Sequence, residues 1–125
     1  SYFFADPVAE EVDGIVIRRD TGHEMDVNAQ GIRKHLLTPK GLDGLQLMMV
    51  RMTPDSSSGP EAYGHEGLDA GYVLSGALRL EVEGGIYLLT EGDSFGFDST
   101  RPHRFECVGT QPAEILWINT QSGKS

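Results

Sequence analysis

The chain has a single cysteine, Cys107. One thiol excludes an internal disulfide and any zinc site built from several cysteines. Because free thiols persist in reducing compartments, the expected location is the cytoplasm. Long apolar runs are also absent, since none approaches the roughly 18 residues that a membrane-spanning helix needs. No secretory signal pattern occurs at the start of the sequence, and we therefore expect no membrane partner.

Basic residues are scarce. The chain has 10 lysines and arginines against 19 acidic residues, a formal net charge of −9 at pH 7. A surface this negative repels phosphate, so the chain alone is poorly suited to binding nucleic acid. The sequence also lacks a convincing long helical pattern, whereas its 16 glycines and six prolines predict many short strands joined by turns.

The apolar residues occur in short runs and in alternating segments. The run Leu45–Met52 predicts a buried strand, and the alternation over Leu78–Val82 predicts a half-buried one. We also expect strands at Ile15–Ile17 and Ile32–Thr38, and a tight turn at Gly84-Gly85. About eight to ten such strands, with little or no helix, indicate an all-β sandwich or barrel.

The predicted domain organisation is simple. Residues 1–13 are expected to form an N-terminal arm whose aromatic side chains pack on a neighbour, such as a second subunit. Residues 14–120 are expected to form one β-barrel domain, and residues 121–125 a polar tail.

Two histidines occur within spaced sets of polar residues. Tyr63 and His65 are two residues apart, so a strand would place them on one face, and His103 and Cys107, four residues apart, would share a face as well. If both faces point into one barrel, Tyr63, His65 and His103 converge with Asp69. Two histidines and one carboxylate form the facial set that binds non-haem iron and similar divalent ions.

The spacing of these residues resembles the two motifs of the cupin superfamily. The first motif is matched by Gly59, His65 and Gly76, with Tyr63 in place of a histidine and Asp69 in place of a glutamate. The second is matched by Gly92 and His103, with Cys107 in place of an asparagine. The resemblance implies a double-stranded β-helix, the jelly-roll barrel of the cupins.

Longer segments resemble one branch of that superfamily, the C-terminal sensor domains of bacterial helix-turn-helix regulators of the XRE type. These segments are HEGLDAGYVLSGALRLEVEGGIYLLTEGDSF, FDSTRPHRF and AEILWINT. The resemblance implies a homodimer that binds a small-molecule effector. It also implies contact with DNA only through a helix-turn-helix domain encoded upstream of this chain.

Six residues are candidate ligand-binding groups: Tyr63, His65, Asp69, His103, Cys107 and Arg51. Either Arg51 or Arg101 could clamp an anionic effector, although a solvated surface arginine is the plainer interpretation. A small buried apolar side chain is likewise the plainer interpretation of Cys107.

His65, His103 and Asp69 are the candidate ligands for zinc, nickel or iron, and no metal is expected to be required. Aspartate is one methylene shorter than glutamate, so its reach is expected to fall short of a metal. Tyr63 is a poor ligand unless its phenol ionises.

Three functions remain open at this point. The first is an effector-sensing domain of a transcriptional regulator, without catalytic residues. The second is a single-domain metalloenzyme of the dioxygenase, isomerase or decarboxylase type. The third is a dimerisation scaffold with an unused pocket.

Overall fold

Nine strands form the part of the domain that the structure describes. The computed structural model describes residues 14–19, 23–27, 31–39 and 42–121, and these contain no α-helix. The strands are β1 (His23–Val27), β2 (Ile32–Leu36), β3 (Leu45–Met52), β4 (Leu68–Ser75), β5 (Ala77–Val82), β6 (Gly85–Thr90), β7 (Ser94–Asp98), β8 (His103–Cys107) and β9 (Ala113–Thr120). No helix among the described residues is long and apolar enough to cross a membrane.

The strands form two antiparallel sheets. The six-stranded sheet has the order β1-β2-β3-β9-β4-β7, and the three-stranded sheet has the order β6-β5-β8. Successive strands repeatedly change sheet, which is the topology of a jelly roll. The structure therefore confirms the predicted all-β, double-stranded β-helix.

Alternating side chains from both sheets make the core. In β5 the residues Leu78, Leu80 and Val82 are buried, and in β9 Ile115 and Trp117 are buried. Full burial of an aliphatic side chain of this size stabilises the fold by about 1.5–3 kcal/mol. The period-two pattern in the sequence therefore identifies the inward faces of these strands correctly.

The start of the domain differs from the prediction. Residues 14–19 form a bend and a loop, and Ile15 is 70% exposed, so the strand predicted at Ile15–Ile17 is wrong. The first strand among the described residues is β1, whose sequence HEMDV has too few apolar residues to reveal it. The predicted arm, residues 1–13, lies outside the described residues, as do residues 122–125 of the predicted tail.

Two glycine-dependent turns fix the geometry around β4 to β6. Glu83 and Gly84 both have positive φ, 50° and 86°, as a type I′ hairpin turn requires. The turn therefore begins one residue before the predicted Gly84-Gly85 pair. Gly67 has φ 114°, and a Cβ there would collide with the Thr120 carbonyl oxygen. Glycine thus allows the chain to enter β4 close beside β9.

Candidate functional site

The segment before β4, residues 53–67, brings Tyr63 and His65 across the barrel opening. The Tyr63 amide donates to the His103 carbonyl at 3.0 Å, and the His103 amide donates to the Tyr63 carbonyl at 2.8 Å. The His65 amide donates to the Ser99 carbonyl at 2.9 Å. Tyr63 and His65 thus lie in a loop, rather than in the predicted strand, and backbone hydrogen bonds hold both against the second histidine.

The structure brings His65, Asp69 and His103 together. Nε2 of His65 lies 3.4 Å from Oδ2 of Asp69, and Nε2 of His103 lies 3.8 Å from the same oxygen. The imidazole centroids are 5.3 Å apart, and the Tyr63 ring lies 4.5 Å from that of His103. The four side chains that the sequence predicts to converge therefore do so.

Asp69 is buried and held by two donors. The Trp117 indole N–H donates to Oδ1 at 2.8 Å, and the Ser99 hydroxyl donates to Oδ2 at 2.7 Å. Because Asp69 is 4% exposed, these bonds offset much of the cost of removing its carboxylate from water. They also fix the direction in which Oδ2 points, which is toward both histidines.

Backbone carbonyls orient the two imidazoles. Nδ1 of His103 lies 2.7 Å from the Arg101 carbonyl oxygen, and Nδ1 of His65 lies 3.1 Å from that of Glu66. A carbonyl only accepts, so each Nδ1 carries a proton in these hydrogen bonds. In the neutral ring each Nε2 then presents its lone pair toward Asp69. Such hydrogen bonding orients histidines that bind metals.

Tyr63 is a neutral hydrogen-bonding group. The phenol is withdrawn from water although the residue is 39% exposed. This desolvation, with a further contribution from the negative charge of Asp69, raises the pKa of Tyr63 to about 12. The phenol therefore keeps its proton at neutral pH, where it can donate to a ligand oxygen but cannot serve as an anionic metal ligand.

A cavity of about 230 Å³ opens beside the cluster. It would hold roughly seven waters at about 30 Å³ each, so it suits a small molecule. Its apolar wall comes from Met48, Val50, Phe105 and Trp117, and its polar lining from Lys34, Tyr63, His65, Asp69 and Asn119.

Sequence reasoning missed several groups around the cavity. Lys34 lies between Ile32 and Leu36 on the inward face of β2, and Asn119 continues the inward series of β9 beyond Trp117. A polar residue at a core-facing position is the signal that could have revealed both. Ser99, which donates to Asp69, lies in a turn and carries no comparable signal.

Two predicted ligand-binding residues lie elsewhere, and we remove them from the candidate site. Arg51 faces outward from β3, with its side chain 53% exposed and 2.7 Å from Glu114. Cys107 is 2% exposed and its thiol donates to the Gln111 carbonyl oxygen at 3.4 Å. Burial raises the pKa of Cys107, which disfavours the reactive thiolate.

Arg101, the alternative anion clamp, also faces away from the cluster. It pairs with Glu83 at 2.8 Å and lines a separate groove of about 410 Å³ between β6 and β7. Polar and apolar side chains both line this groove, and it shares none of its lining residues with the cavity beside Asp69.

The three donors lie close enough together to be candidate ligands for one divalent cation. Their ligand atoms lie within 4.8 Å of one another, and two donors that each bind one metal at about 2.0–2.2 Å are separated by up to roughly 4.2 Å. Oδ2 of Asp69 lies within that range of Nε2 in both histidines, and whether the aspartate reaches a metal stays a prediction. His65, with 40% of its side chain exposed, has room to adjust.

The fold and this arrangement define a cupin barrel with a two-histidine, one-carboxylate cluster at its opening. Residues 48–119 match the family described as Cupin domain. The chain belongs to this family.

The chain is similar to two transcriptional regulators. It is 32% identical over 122 residues to HTH-type transcriptional regulator PuuR of Escherichia coli (strain K12). The alignment covers 96% of this chain and 64% of that protein, so the chain spans less than two thirds of its relative. The cupin domain of an XRE family regulator from Enterobacter cloacae superposes with a TM-score of 0.64 at 19% identity, covering 73% of this chain and 97% of that domain.

An enzyme shares the same fold. A sugar phosphate isomerase of the cupin superfamily from Silicibacter pomeroyi superposes with a TM-score of 0.65 at 24% identity. The superposition covers 90% of this chain and 75% of that protein. Fold similarity alone therefore does not separate a regulator domain from an enzyme.

Proposed function

We propose that this chain is the effector-binding domain of a transcriptional regulator, with a helix-turn-helix domain encoded upstream of residue 1. The relationship to regulators supports the assignment to that class. The observation that carries effector binding is the cavity beside Asp69, where polar groups are oriented in advance by hydrogen bonds. Binding sites typically combine apolar walls with a few fixed polar groups in this way.

The effector is a small molecule that contacts groups from several strands. Tyr63 can donate a hydrogen bond, Lys34 supplies a fixed positive charge, and Asn119 can donate and accept. Met48 and Phe105 cover the apolar part of the ligand. Because β2, β4 and β9 all contribute to the cavity, a bound ligand stabilises the closed barrel relative to more open conformations.

Three expectations from the sequence belong to this proposal. The regulator acts in the cytoplasm, where its DNA is. DNA is contacted only by the upstream domain, since this chain carries a net charge of −9. Two copies associate, and effector binding alters their relative placement and hence that of the attached DNA-binding domains.

The test is thermal denaturation of the chain in the presence of small metabolites. A compound at 100 times its Kd stabilises the folded state by about 2.7 kcal/mol. Asp69→Asn, which removes the central charge, should abolish the shift, whereas Arg51→Gln on the outer face should retain it. A thermal shift that persists in Asp69→Asn would mean that the ligand binds elsewhere. If no compound in the library shifts the unfolding temperature, the result would favour a dimerisation scaffold with an unused pocket.

A metal-dependent enzyme is the second candidate, and the cluster of His65, Asp69 and His103 favours it. These three residues would hold the metal, which would act as a Lewis acid when bound. Elemental analysis of protein purified without an affinity tag tests this function. Stoichiometric metal that is lost in His103→Ala would support the enzyme, and metal-free protein with an intact fold would contradict it.

A further inference from the structure

β6 differs from the other strands at the edges of the two sheets. β1 carries charged residues and a register shift, β7 ends in Asp98, and bridges from Ser57 and Tyr63 cover β8. Charge, bulges and covering segments keep an edge strand from pairing with other chain segments. β6 has no charged residue, no proline and an unbroken register with β5. Among the described strands, β6 is therefore the edge most open to a further strand.

The backbone of Ile86 and Leu88 faces this open edge. The two-residue turn at Glu83-Gly84 makes Val82 and Gly85 a hydrogen-bonded pair, and such pairs alternate with non-bonded ones along antiparallel strands. The N–H and C=O groups of Ile86 and Leu88 therefore point away from β5, the one strand that pairs with β6 in the described part of the chain. Their side chains are also accessible, 54% and 70% exposed.

The groove of about 410 Å³ between β6 and β7 would receive the inward side chains of an added strand. Its lining includes five apolar side chains that face into the barrel, Leu80, Val82, Leu89, Phe95 and Phe97. The outward side chains of the added strand would lie beside Ile86 and Leu88, where apolar cross-strand pairs stabilise a sheet. A strand that fits this edge is therefore apolar on both faces.

One segment outside the described residues has this character. Residues 20–22, 28–30, 40–41 and 122–125 contain no two adjacent apolar side chains, whereas Tyr2, Phe3 and Phe4 form an aromatic run. Aromatic residues favour strands, and Pro7 would end such a strand because it lacks an amide N–H.

The aromatic run is also attached closely enough to reach the groove. Residues 7–13, which join the run to the described domain, span up to about 25 Å when extended. A compact domain of this length has a radius of gyration of about 14 Å. The attachment also gives the run a high effective concentration at the groove of its own chain.

We propose that residues 2–6 of the same chain add to β6 as an extended strand and cover the groove. Tyr2 and Phe4 then share one face of the strand and Phe3 takes the other. One face fills the groove, and the other packs beside Ile86 and Leu88. In this mode of recognition, main-chain hydrogen bonds supply affinity and side-chain pockets supply specificity.

Two aromatic contacts link the groove to the cavity. The Phe95 ring lies 4.9 Å from that of Trp117, and the Phe97 ring lies 4.8 Å from that of His103. A ligand that moves Trp117 or His103 therefore shifts rings that the added strand contacts. Because residues 2–6 follow the proposed DNA-binding domain, the groove gives effector binding a route to that domain. This coupling rests on the proposed function, whereas docking of the segment does not.

The test is amide hydrogen exchange in the full 125-residue chain, followed by NMR without any effector. The Ile86 and Leu88 amides should exchange at least roughly tenfold more slowly in wild type than in the double variant F3S/F4S. The matched control E10Q/E11Q changes the same segment beyond the aromatic run and should keep the slow exchange. Circular dichroism confirms that both variants are folded.

A mixture shows which chain supplies the segment. When ¹⁵N-labelled F3S/F4S is refolded together with unlabelled wild type, the Ile86 and Leu88 amides of the labelled chain should still exchange fast. Slow exchange in that mixture would overturn docking within one chain and assign the segment to a partner subunit. Equal exchange in wild type and F3S/F4S would overturn the docking altogether. Neither outcome bears on effector binding, which the thermal shifts with metabolites test separately.

Discussion

Asp69 connects the site to the core of the barrel. Its Oδ1 accepts from Trp117 and its Oδ2 accepts from Ser99, while the same Oδ2 faces both histidines. The carboxylate thus has a structural role, to which the proposed function adds a role in binding the effector. Because its donors are buried side chains, the orientation of Asp69 does not depend on the ligand.

Trp117→Phe tests the structural role of this carboxylate. The change leaves Oδ1 of Asp69 buried without its donor, so we expect a loss of about 1–3 kcal/mol in the free energy of unfolding. Urea denaturation followed by circular dichroism measures it. Tyr87→Phe removes a hydroxyl from a residue that is 52% exposed, and it should change stability by less than about 0.5 kcal/mol. Equal effects of the two changes would contradict this account.

The raised pKa of Tyr63 predicts a pH dependence. The phenol has a pKa of about 12 in the folded chain, against 10.0 normally. Its contribution to stability is therefore complete below pH 10 and is lost as the pH rises from about 10 toward 12, because the unfolded chain loses the proton first. Urea unfolding at several alkaline pH values should show a steeper decline for wild type than for Tyr63→Phe. Parallel declines would show that the phenol is not perturbed.

Arg104 anchors the loop that carries Tyr63 and His65 to the smaller sheet. Arg104 on β8 donates to the Gly59 carbonyl oxygen at 2.8 Å and to Glu81 and Glu106 at 2.8 and 3.0 Å. One guanidinium therefore joins the loop to two strands of the smaller sheet. With 14% of its side chain exposed, Arg104 is less screened by water than a surface ion pair.

Arg104→Met should therefore destabilise the chain by about 1–3 kcal/mol, because it leaves the two carboxylates and the carbonyl without this donor. Hydrogen exchange should also accelerate in residues 53–67. Arg51→Met breaks an ion pair whose side chains are 53% and 40% exposed, which should cost at most about 1 kcal/mol. The account fails if Arg51→Met lowers the free energy of unfolding as much as Arg104→Met does.

Gly67 tests how closely the loop must approach β9. Gly67→Ala and Gly92→Ala both place a side chain at positive φ, 114° and 92°, which costs roughly 1–2 kcal/mol. Only the first also forces a Cβ against the Thr120 carbonyl, which adds roughly 1–3 kcal/mol. Comparing their urea midpoints isolates the steric cost. Equal midpoints would mean that the loop can move away from β9 freely.

The strands were predictable where the apolar pattern is strong, and the site was predictable where the motif spacing is kept. β5 and β9 alternate clearly, so their inward faces could be read directly. β1 is polar, and although it pairs with the next strand along the chain, β2, its sequence has no apolar alternation that would reveal a strand. The loop position of Tyr63 and His65 likewise depends on hydrogen bonds to β8 and to the turn before it.

The misplaced candidates have simple geometric causes. Cys107 shares a strand face with His103, but four residues along a strand amount to about 13 Å, which is farther than one small ligand reaches. Arg51 alternates with Val50 and Met52, both of which are buried, so the period-two rule already places Arg51 outside. Lys34 alternates with Ile32 and Leu36 on β2, so the same rule would have placed it inside, and it was missed because a lysine is unusual on a core-facing position.

At the scale of the whole molecule, both sheets and one loop contribute to the site. Asp69 lies on β4 of the larger sheet, His103 on β8 of the smaller sheet, and Tyr63 and His65 in the loop before β4. The chain belongs to the cupin family, and its proposed role is to bind a small effector in the cavity. A net charge of −9 is consistent with leaving DNA contact to another domain.

The most direct test uses the single tryptophan as a reporter. The indole N–H of Trp117 donates to Asp69 and the residue lines the cavity, so its resonance in an ¹H–¹⁵N spectrum responds to any ligand bound there. Titration with small metabolites should identify a compound that shifts this resonance in wild type but not in Asp69→Asn. A compound that stabilises the fold yet leaves the indole resonance unchanged would contradict the account, as would a library in which no compound moves it.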